Sequence, residues 1–247
     1  MKISVIIPIF NERETLPSTL ESLAAFSDLL EIVVVDGGST DGTRETLADC
    51  LPVTARLVSS ECGRGNQLNA GAKAAQGDVL VFLHADTRLP PHGIKEIEQV
   101  LSDPGVAGGG FRVRFLEERP RILRAVEAGI NFRTRFLRDP TGDQAIFCRK
   151  SAFAGIGGFA QWPIFEDVDF MHRLRSFGRC KIIPSPVATS ARRYITWGVL
   201  RTVFLMWALR IGYWLGISPF RLHRWYKDVR PHLLRSQQVT QNSAKQA

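Results

Sequence analysis

The sequence predicts an α/β protein with a mostly parallel central sheet, helices on both faces of the sheet, and a helical appendage at the C-terminus. Three observations support this prediction. Short β-branched runs alternate with helical patterns up to residue 103, the alternation then changes, and a basic, tryptophan-rich stretch follows residue 193. Such alternation is typical of parallel sheets, whose strands need helical crossovers. A chain of 247 residues with 45% hydrophobic residues suits one such domain with an appendage.

The first hundred residues alternate strands and helices. Leu16, Leu20 and Leu23 recur at helical spacing, and Asp36 ends an apolar strand just before a glycine-rich turn. Asp41 stands where it can cap the next helix. We therefore predict strands over residues 4–10, 31–35, 56–59 and 79–83, and helices over residues 15–26, 43–49, 66–76 and 91–101.

After residue 103 the pattern is less regular. Three glycines, Gly108 to Gly110, open an apolar run that predicts a strand over residues 106–115. An arginine-rich helical pattern covers residues 118–138, and a short strand pattern covers residues 144–148. A further helix is predicted over residues 167–177.

The net charge of +8 is distributed unevenly along the chain. Residues 1–103 carry a net charge of −7, and residues 104–247 carry +15. A nucleic-acid-binding protein with a uniformly basic surface would not have this pattern, so we expect no nucleic-acid partner. The pattern favours a metal or nucleotide site in the first half and an anionic partner in the second. A scattered, solvated basic face is the alternative.

The four cysteines, Cys50, Cys62, Cys148 and Cys180, include no closely spaced pair. This excludes zinc knuckles and Cys-x-x-Cys redox motifs, and it favours reduced thiols in the cytosol. The apolar run at residues 3–10 is short, contains Pro8 and leads into charged residues. It therefore predicts a buried strand and not a signal peptide, and we expect a cytoplasmic protein.

The C-terminal region is basic and aromatic. Residues 171–235 contain thirteen Lys or Arg against one acid, and they hold four of the five tryptophans. Residues 199–217 are strongly apolar, but Arg201 and Arg210 interrupt them, and one central Arg costs about 2.5–3.5 kcal/mol in a membrane span. The two arginines lie about 180° apart on a helix, so the amphipathic pattern is imperfect. Two interpretations stay open: a helix packed on the catalytic domain, or an interfacial helix on an anionic membrane.

Four polar segments follow the ends of predicted strands: residues 10–12, Asp36, residues 59–64 and residues 84–86. The carboxyl ends of parallel strands share one edge of the sheet, where open α/β folds bind their ligands. The four segments should therefore converge on one crevice.

Asp36 and Asp86 are the first two candidate ligand-binding residues. Asp36 could cap the next helix, but Asp41 can also do so. Asp36 could then accept hydrogen bonds from the N–H of a nucleobase or from sugar hydroxyls. Asp86 could cap the helix near Pro90, or it could bind Mg²⁺ or Mn²⁺, which prefer oxygen ligands. One carboxylate can hold such an ion only if the phosphates of a ligand share it.

Two more segments are candidates. The glycine-rich residues 62–69 match neither the dinucleotide-binding fingerprint nor the P-loop, but their glycines admit a ligand and Arg64 can bind phosphate or carbonyl oxygens. Glu166 and Asp167 open a predicted helix, where acids commonly balance the helix dipole. Spacing alone favours that structural role for the pair.

Taken together, these segments resemble glycosyltransferase family 2, the inverting nucleotide-sugar transferases of the GT-A fold. The strings SVIIPIFNE and VVDGGSTDGT, the triplet HAD and the later pair ED stand in the family's order and spacing over about residues 1–190. The chain looks closest to the bacterial group labelled radical-SAM/selenodomain-associated transferase 2. That group shares FLHADTRLP at residues 82–90, TGDQAIF at 141–147 and SARR at 190–193.

The resemblance implies a role for each site residue. Asp167 is the catalytic base, Asp86 holds a divalent metal on the diphosphate, and Asp36 contacts the nucleobase. Arg192 and Arg193 lie near the leaving diphosphate. The nucleotide-sugar pocket is lined by Pro8, Phe10, Asn11, Glu12, Asp36, Arg64, Asn69, Ala85 and Asp86, and the sugar or acceptor side by Gly142, Asp143, Gln144 and Glu166.

The resemblance also implies the domain organisation. Residues 1–193 form the GT-A catalytic domain, with a nucleotide-binding half up to about residue 103 and an acceptor and catalytic-base half after it. Composition, and not the resemblance, predicts a basic, tryptophan-rich helical appendage over residues 194–235 and a flexible tail over residues 236–247.

Mn²⁺ or Mg²⁺ is the implied cofactor. The metal motif of the family is usually Asp-x-Asp, and here His84 replaces the first acid, so a neutral imidazole could ligate Mn²⁺ or simply pack. A UDP-sugar is the favoured donor because the family mostly uses UDP, and GDP stays open. The acceptor is unknown, with a lipid as one candidate. Docking of residues 194–235 on an anionic membrane would place the protein peripherally at the inner face of that membrane.

The implied function is inverting transfer of the sugar to an acceptor hydroxyl. Two alternatives stay open: a nucleotide-sugar-binding protein without catalysis, and a nucleotidyltransferase that releases pyrophosphate. Retention of Asp36, Asp86 and Asp167 argues against the first. In the second, the Glu166–Asp167 pair would have no evident task.

Overall fold

The computed structural model describes residues 1–26, 30–50, 55–117 and 120–228. Within these ranges the strands are β1 (Ile3–Ile9), β2 (Leu30–Asp36), β3 (Ala55–Ser59), β4 (Val79–Phe82), β5 (Thr87–Arg88), β6 (Val106–Phe115), β7 (Ile146–Arg149) and β8 (Arg179–Thr189). The helices are α1 (Leu16–Ala24), α2 (Thr43–Cys50), α3 (Arg64–Ala74), α4 (Gly93–Leu101), α5 (Arg121–Leu137), α6 (Lys150–Gly155), α7 (Glu166–Phe177), α8 (Arg192–Trp197), α9 (Val199–Trp214) and α10 (Pro219–Asp228). A short 3-10 helix covers Gly142–Gln144.

The described strands form one sheet in the order β3-β2-β1-β4-β7-β6-β8-β5. The strands β3, β2, β1 and β4 run parallel, as predicted for the nucleotide-binding half. In the second half β7 runs antiparallel to both β4 and β6, and β5 runs antiparallel to β8. The sheet is therefore mixed, because only β6 and β8 are parallel in that half.

The core lies on both faces of the sheet. Along β1, Val5 and Ile7 pack into one buried cluster with residues of α1 and α4, while Ile6 packs into the other with residues of α3 and α7. This alternation follows from the two-residue period of a strand. An added Cβ at Gly71 of α3 would lie 2.4 Å from the Ile6 side chain, so glycine is what lets α3 pack directly on β1.

The strand β8 was not predicted from the sequence. It contains Pro184 and Pro186, and proline usually argues against an internal strand because it cannot donate a backbone hydrogen bond. The register between β6 and β8 shifts between Phe111 and Arg112, where the irregularity accommodates these prolines. The short elements β5 and α6 were also missed.

The three C-terminal helices pack on the preceding part of the chain through a small apolar cluster. Leu209 of α9 and Leu222 and Tyr226 of α10 are buried there, beside Phe165 of the loop before α7. Arg210 is buried as well and pairs with Asp139. Packing on the domain, the first of the two interpretations of this region, is thus confirmed for one face of α9.

None of the helices within the described residues is both long enough and apolar enough to cross a membrane. The first C-terminal helix, α8, begins at Arg192, close to the predicted start of the appendage at residue 194. The end of the predicted appendage, residues 229–235, and the predicted tail, residues 236–247, lie outside the described residues.

Candidate active site

The crevice lies where β1, β2 and β4 end. Asn11 follows β1 with a φ of 56° and donates its backbone N–H to Ser39 Oγ at 3.0 Å. Its Oδ1 accepts the N–H of Thr40 at 2.9 Å. The backbone N–H of Glu12 donates to Thr43 Oγ1 at 3.0 Å. These bonds tie the end of β1 to the loop after β2, so the predicted convergence of the first two segments is confirmed.

Asp36 organises its own loop. Its Oδ1 accepts the backbone N–H of Ser39 at 2.9 Å, the Ser39 hydroxyl at 2.7 Å and the N–H of Gly38 at 3.2 Å. Its Oδ2 lies 3.3 Å from Arg44 Nε. Asp41 caps α2 as expected, accepting the N–H of Thr43 at 3.0 Å. Asp36 is nevertheless less free than the sequence suggested, because one of its oxygens is fully engaged by the loop.

The segment His84–Asp86 is fixed by its backbone. Ala85 O accepts the Thr19 hydroxyl at 2.7 Å, and Asp86 O accepts the N–H of Ser190 at 3.2 Å. These bonds hold the side chains of His84 and Asp86 at the end of β4. Pro8 is half-buried on β1, and Phe10 is exposed at the rim of the crevice.

The charged groups around Asp86 are compatible with a bound divalent cation. Burial raises the pKa of Asp86, the nearby carboxylate of Glu12 raises it further, and Arg192 and Arg64 oppose the shift. A cation would relieve this crowding of acids. In the part of the chain that the structure describes, no three metal-ligating side chains cluster. The oxygen donors therefore fit an ion whose remaining ligands come from a diphosphate and water.

His84 lies against the loop at Gly142, in surroundings that disfavour the charged imidazolium. Burial lowers its pKa well below 6.5, and the charges of Arg64 and Arg193 lower it further. Its ring lies against Gly142, where an added Cβ would be 2.5 Å from His84 Nε2. The contact joins the end of β4 to the 3-10 helix at Gly142–Gln144.

Asp167 and Glu166 enter the crevice at the start of α7. Asp167 Oδ2 accepts the N–H of Gly142 at 2.8 Å, and Oδ1 accepts the N–H of Val168 at 2.8 Å. Glu166 is 3% exposed, and its Oε1 lies 3.6 Å from Arg64 Nη1 at the start of α3. Burial raises the pKa of Glu166 to about 7, with a further contribution from Asp167 that Arg64 opposes.

The amides of two predicted site residues, Gln144 and Asn69, make hydrogen bonds within the protein. Gln144 is fully buried: its amide accepts the Thr134 hydroxyl at 2.9 Å and donates to Phe111 O at 2.8 Å. The amide of Asn69 both donates to Phe159 O and accepts the Phe159 N–H, each at 2.9 Å. The polar atoms of Gln144 thus face the interior, and its place on the sugar or acceptor side stays a prediction. The two atoms of the Asn69 amide are likewise engaged by backbone.

The basic residues near the predicted diphosphate site differ in position. Arg192 Nη2 lies 3.4 Å from Glu12 Oε1, so this arginine reaches the crevice. Arg193 Nη1 lies 4.0 Å from Met206 Sδ of α9, although its charge still acts on His84. The neighbour Asp143 has its Oδ1 2.6 Å from Thr141 Oγ1 and contributes negative charge near Asp86.

Sequence reasoning missed two residues of this edge. Gln67 Nε2 donates to Ile9 O at 2.7 Å and to Val35 O at 3.0 Å, so it joins the ends of β1 and β2. Arg44 pairs with Asp36. Gln67 lies in the glycine-rich segment at residues 62–69, three residues after Arg64. This position could have identified it from the sequence as a candidate site residue.

The chain is similar to known proteins in sequence and in fold. The family model for glycosyl transferase family 2 matches residues 4–157. An undecaprenyl-phosphate 4-deoxy-4-formamido-L-arabinose transferase of Enterobacter sp. is 35% identical over 105 residues, which cover 39% of this chain and 32% of that protein. The chain thus spans about a third of the length of the curated relatives it matches.

Solved structures share the fold. TarS of S. aureus in complex with UDP-GlcNAc has a TM-score of 0.63 at 18% identity, covering 77% of this chain and 58% of that one. Glucosyl-3-phosphoglycerate synthase of Mycobacterium tuberculosis, in complex with Mn²⁺, UDP and glucosyl-3-phosphoglycerate, has a TM-score of 0.60 at 22% identity, covering 87% and 79%. The architecture is therefore GT-A-like, as expected. Because the family model covers well over half of the sequence, the chain belongs to glycosyl transferase family 2.

Proposed function

We propose that the chain transfers a sugar from a nucleoside diphosphate sugar to an acceptor hydroxyl, with inversion at the anomeric carbon. The observation that carries the proposal is the position of Asp167. Gly142 holds this carboxylate by a 2.8 Å hydrogen bond, and Gly142 in turn packs on His84, two residues before Asp86. These contacts link the proposed base to the proposed cation-binding carboxylate, which supports a one-step displacement.

The donor would bind across the ends of β1, β2 and β4. Arg64 and Arg192 supply guanidinium groups that can bind phosphate oxygens. We favour a UDP-sugar, and the neighbour structures with UDP-GlcNAc and with UDP support that choice. A base would contact Asp36 at Oδ2, the oxygen that also pairs with Arg44, since Oδ1 is occupied by the loop.

Asp86 would hold the divalent metal, and Mn²⁺ or Mg²⁺ would neutralise charge on the diphosphate when bound. The Mn²⁺ in the synthase complex is consistent with this role. Arg64 and Arg192 would add to the stabilisation of the leaving diphosphate. Asp167 would take the proton of the acceptor hydroxyl while that oxygen attacks the anomeric carbon from the face opposite the leaving group. A single displacement of this kind inverts the configuration.

We propose a lipid-borne acceptor, with attachment of residues 194–235 at the inner face of a membrane. The name of the Enterobacter relative, an undecaprenyl-phosphate transferase, supports this choice. We further propose that the chain belongs to the radical-SAM/selenodomain-associated transferase 2 group, on the strings at residues 82–90, 141–147 and 190–193.

The test has a binding arm and a catalytic arm. Calorimetry would compare UDP, GDP, CDP and ADP, each with and without Mn²⁺, on the wild type and on Asp86→Asn. We expect metal-dependent binding of one nucleotide, UDP, and its loss in the variant. No binding to the folded wild type would favour the protein without catalysis, and release of pyrophosphate from a nucleoside triphosphate would favour the nucleotidyltransferase.

The catalytic arm would compare Asp167→Asn with Asp169→Asn. Asp169 lies on the same helix and pairs with Arg173 within one turn, so it is a matched control. We expect Asp167→Asn to lower the transfer rate by about 10²–10⁴-fold with nucleotide binding intact. Equal rates for the wild type and a folded Asp167→Asn would refute the assignment of the base.

A further inference from the structure

The outer face of α9 is an unbroken apolar stripe. Leu200, Phe204, Trp207, Ile211 and Trp214 are each between 47% and 72% exposed. At 100° per residue these five positions fall within about 80° of one another on the helix. Neither of the two arginines that interrupt the pattern in the sequence lies within this arc: Arg210 flanks it on one side with its guanidinium buried against Asp139, and the exposed Arg201 lies beyond its other side. The stripe that looked imperfect in the sequence is therefore continuous on the surface.

The helix α5 has a similar outer face. Phe132 and Phe136 are about two-thirds exposed, and their rings lie 4.3 Å apart between centroids. Ile122 is exposed on the same side two to three turns earlier. The acid of this helix, Glu127, is turned inward, with Oε1 2.6 Å from the N–H of Phe115. Exposed arginines lie beside the apolar positions: Arg121, Arg124 and Arg135.

A buried ionic joint connects the two helices. Arg133 of α5 and Arg210 of α9 both reach Asp139, with Nη1 to Oδ2 distances of 3.5 Å and 2.9 Å. Phe132 directly precedes Arg133, and Ile211 directly follows Arg210. The joint therefore fixes the two exposed apolar faces relative to each other.

The positive charge of the C-terminal helices indicates which kind of partner the apolar faces bind. No Asp or Glu occurs in the sequence between Arg192 and Tyr226, while arginines recur through α8, α9 and α10. Tryptophan and arginine side chains on an apolar helix face are typical of helices that lie at the headgroup level of a bilayer. An anionic lipid surface complements both features, because it offers apolar chains to the stripe and phosphates to the arginines.

We infer that α5 and α9 together form one docking surface for an anionic bilayer. This inference rests on the proposed function in naming a lipid-borne acceptor, and it adds α5 to the attachment expected from residues 194–235. The ion pairs at Asp139 are also connected to the proposed active site. Arg133 also donates to Asp139 O at 2.9 Å, three residues before Gly142, which holds Asp167. A chain docked on these two helices therefore has its catalytic base coupled to the surface that meets the lipid.

The experiment is co-sedimentation of the full chain with vesicles of phosphatidylcholine, alone or mixed with equal parts of phosphatidylglycerol. The variants are Phe132→Ser with Phe136→Ser on α5, and Phe204→Ser with Trp207→Ser on α9. The matched control is Leu57→Ser, an exposed apolar residue of the distant strand β3. All five side chains are exposed, so the variants should fold.

We expect the wild type and Leu57→Ser to bind the anionic vesicles, and each double variant to bind about tenfold more weakly. Undiminished binding by either double variant would overturn the two-helix surface. A wild-type chain that stays in the supernatant with both kinds of vesicle would also overturn it, and a larger species in sedimentation would then assign the face to a protein partner.

Calorimetric binding of UDP with Mn²⁺ to the same variants separates this inference from the proposed function. We expect the nucleotide affinity to be the same in all of them, because the five substituted side chains lie outside the crevice. Vesicle binding without nucleotide binding would refute the proposed transferase function and would still support the docking surface.

Discussion

Arg210 of α9 and Asp139 form a buried ion pair, with Nη1 2.9 Å from Oδ2. The pair joins the C-terminal helices to the loop that leads into the active site. Asp139 Oδ1 is itself buried and has no hydrogen-bond partner within the described residues. The carboxylate therefore depends on its two arginines, and burial raises its pKa despite them.

We expect Arg210→Met to lower the free energy of unfolding by about 3 kcal/mol, because removing one partner leaves an undercompensated charge in the interior. Urea unfolding would measure it. The matched control is Arg201→Met, an exposed position of the same helix, with an expected loss below about 1 kcal/mol. Adding Asp139→Asn to Arg210→Met should recover part of the loss. Equal stability of the two single variants would contradict a structural role for the pair.

The contact between Gly142 and His84 leads to a second prediction. A methyl group at Gly142 would lie 2.5 Å from His84 Nε2, so Gly142→Ala must displace the imidazole or the loop that holds Asp167. We expect the transfer rate to fall by about tenfold to a hundredfold, since small displacements of a catalytic group are costly.

Gly129→Ala is the control for that prediction. An added Cβ at Gly129 meets nothing within 4 Å, and the residue lies inside α5. We expect this variant to be about 0.5–1 kcal/mol more stable than the wild type and equally active. A fully active Gly142→Ala would show that the loop tolerates the shift and that the His84 contact does not position the base.

The crevice could be predicted from the sequence because it follows from topology. Parallel strands end at one edge, so Asn11, Asp36 and Asp86 had to converge there once the βαβ pattern was recognised. The side chains that face the crevice could not be predicted in the same way. Gln144 is of the polar type expected in a site, yet Thr134 and Phe111 occupy its amide.

Long-range partners explain the other differences. The sequence placed Arg201 and Arg210 on opposite sides of one helix, and nothing local indicated which of them was buried. Arg210 is the buried one because it pairs with Asp139, which lies 71 residues earlier in the sequence. The strand β8 was missed because its two prolines oppose strand formation locally, while its pairing with β6 decides the structure.

Asn69 provides a third prediction. Its amide holds both the N–H and the carbonyl of Phe159 at 2.9 Å. We expect Asn69→Ala to lose about 1–3 kcal/mol of stability, because two backbone groups lose their partners, with the affinity for UDP unchanged. Asn66→Ala is the control. Asn66 lies on the same helix as Asn69, and its amide makes only a weaker 3.4 Å hydrogen bond, to Cys62 O. Weaker UDP binding by Asn69→Ala at unchanged stability would instead support a direct role in the nucleotide pocket.

The buried carboxyl of Glu166 makes stability depend on pH. Burial, followed by Asp167, raises its pKa from 4.5 to about 7 against the opposing charge of Arg64. The folded state thus holds the proton more tightly than the unfolded state. The stabilisation from this group is complete below pH 4.5 and is lost as the pH rises through about 7.

We therefore expect Glu166→Gln, which cannot ionise, to become more stable relative to the wild type across that window, by on the order of 3 kcal/mol in total. Urea unfolding of both proteins at a series of pH values from 4 to about 8 measures the difference. Parallel curves would mean that Arg64 keeps Glu166 ionised in the folded state. In that case the pair would be a fixed ion pair beside Asp167, the proposed base, and the pH dependence of transfer near neutrality would have to come from another group.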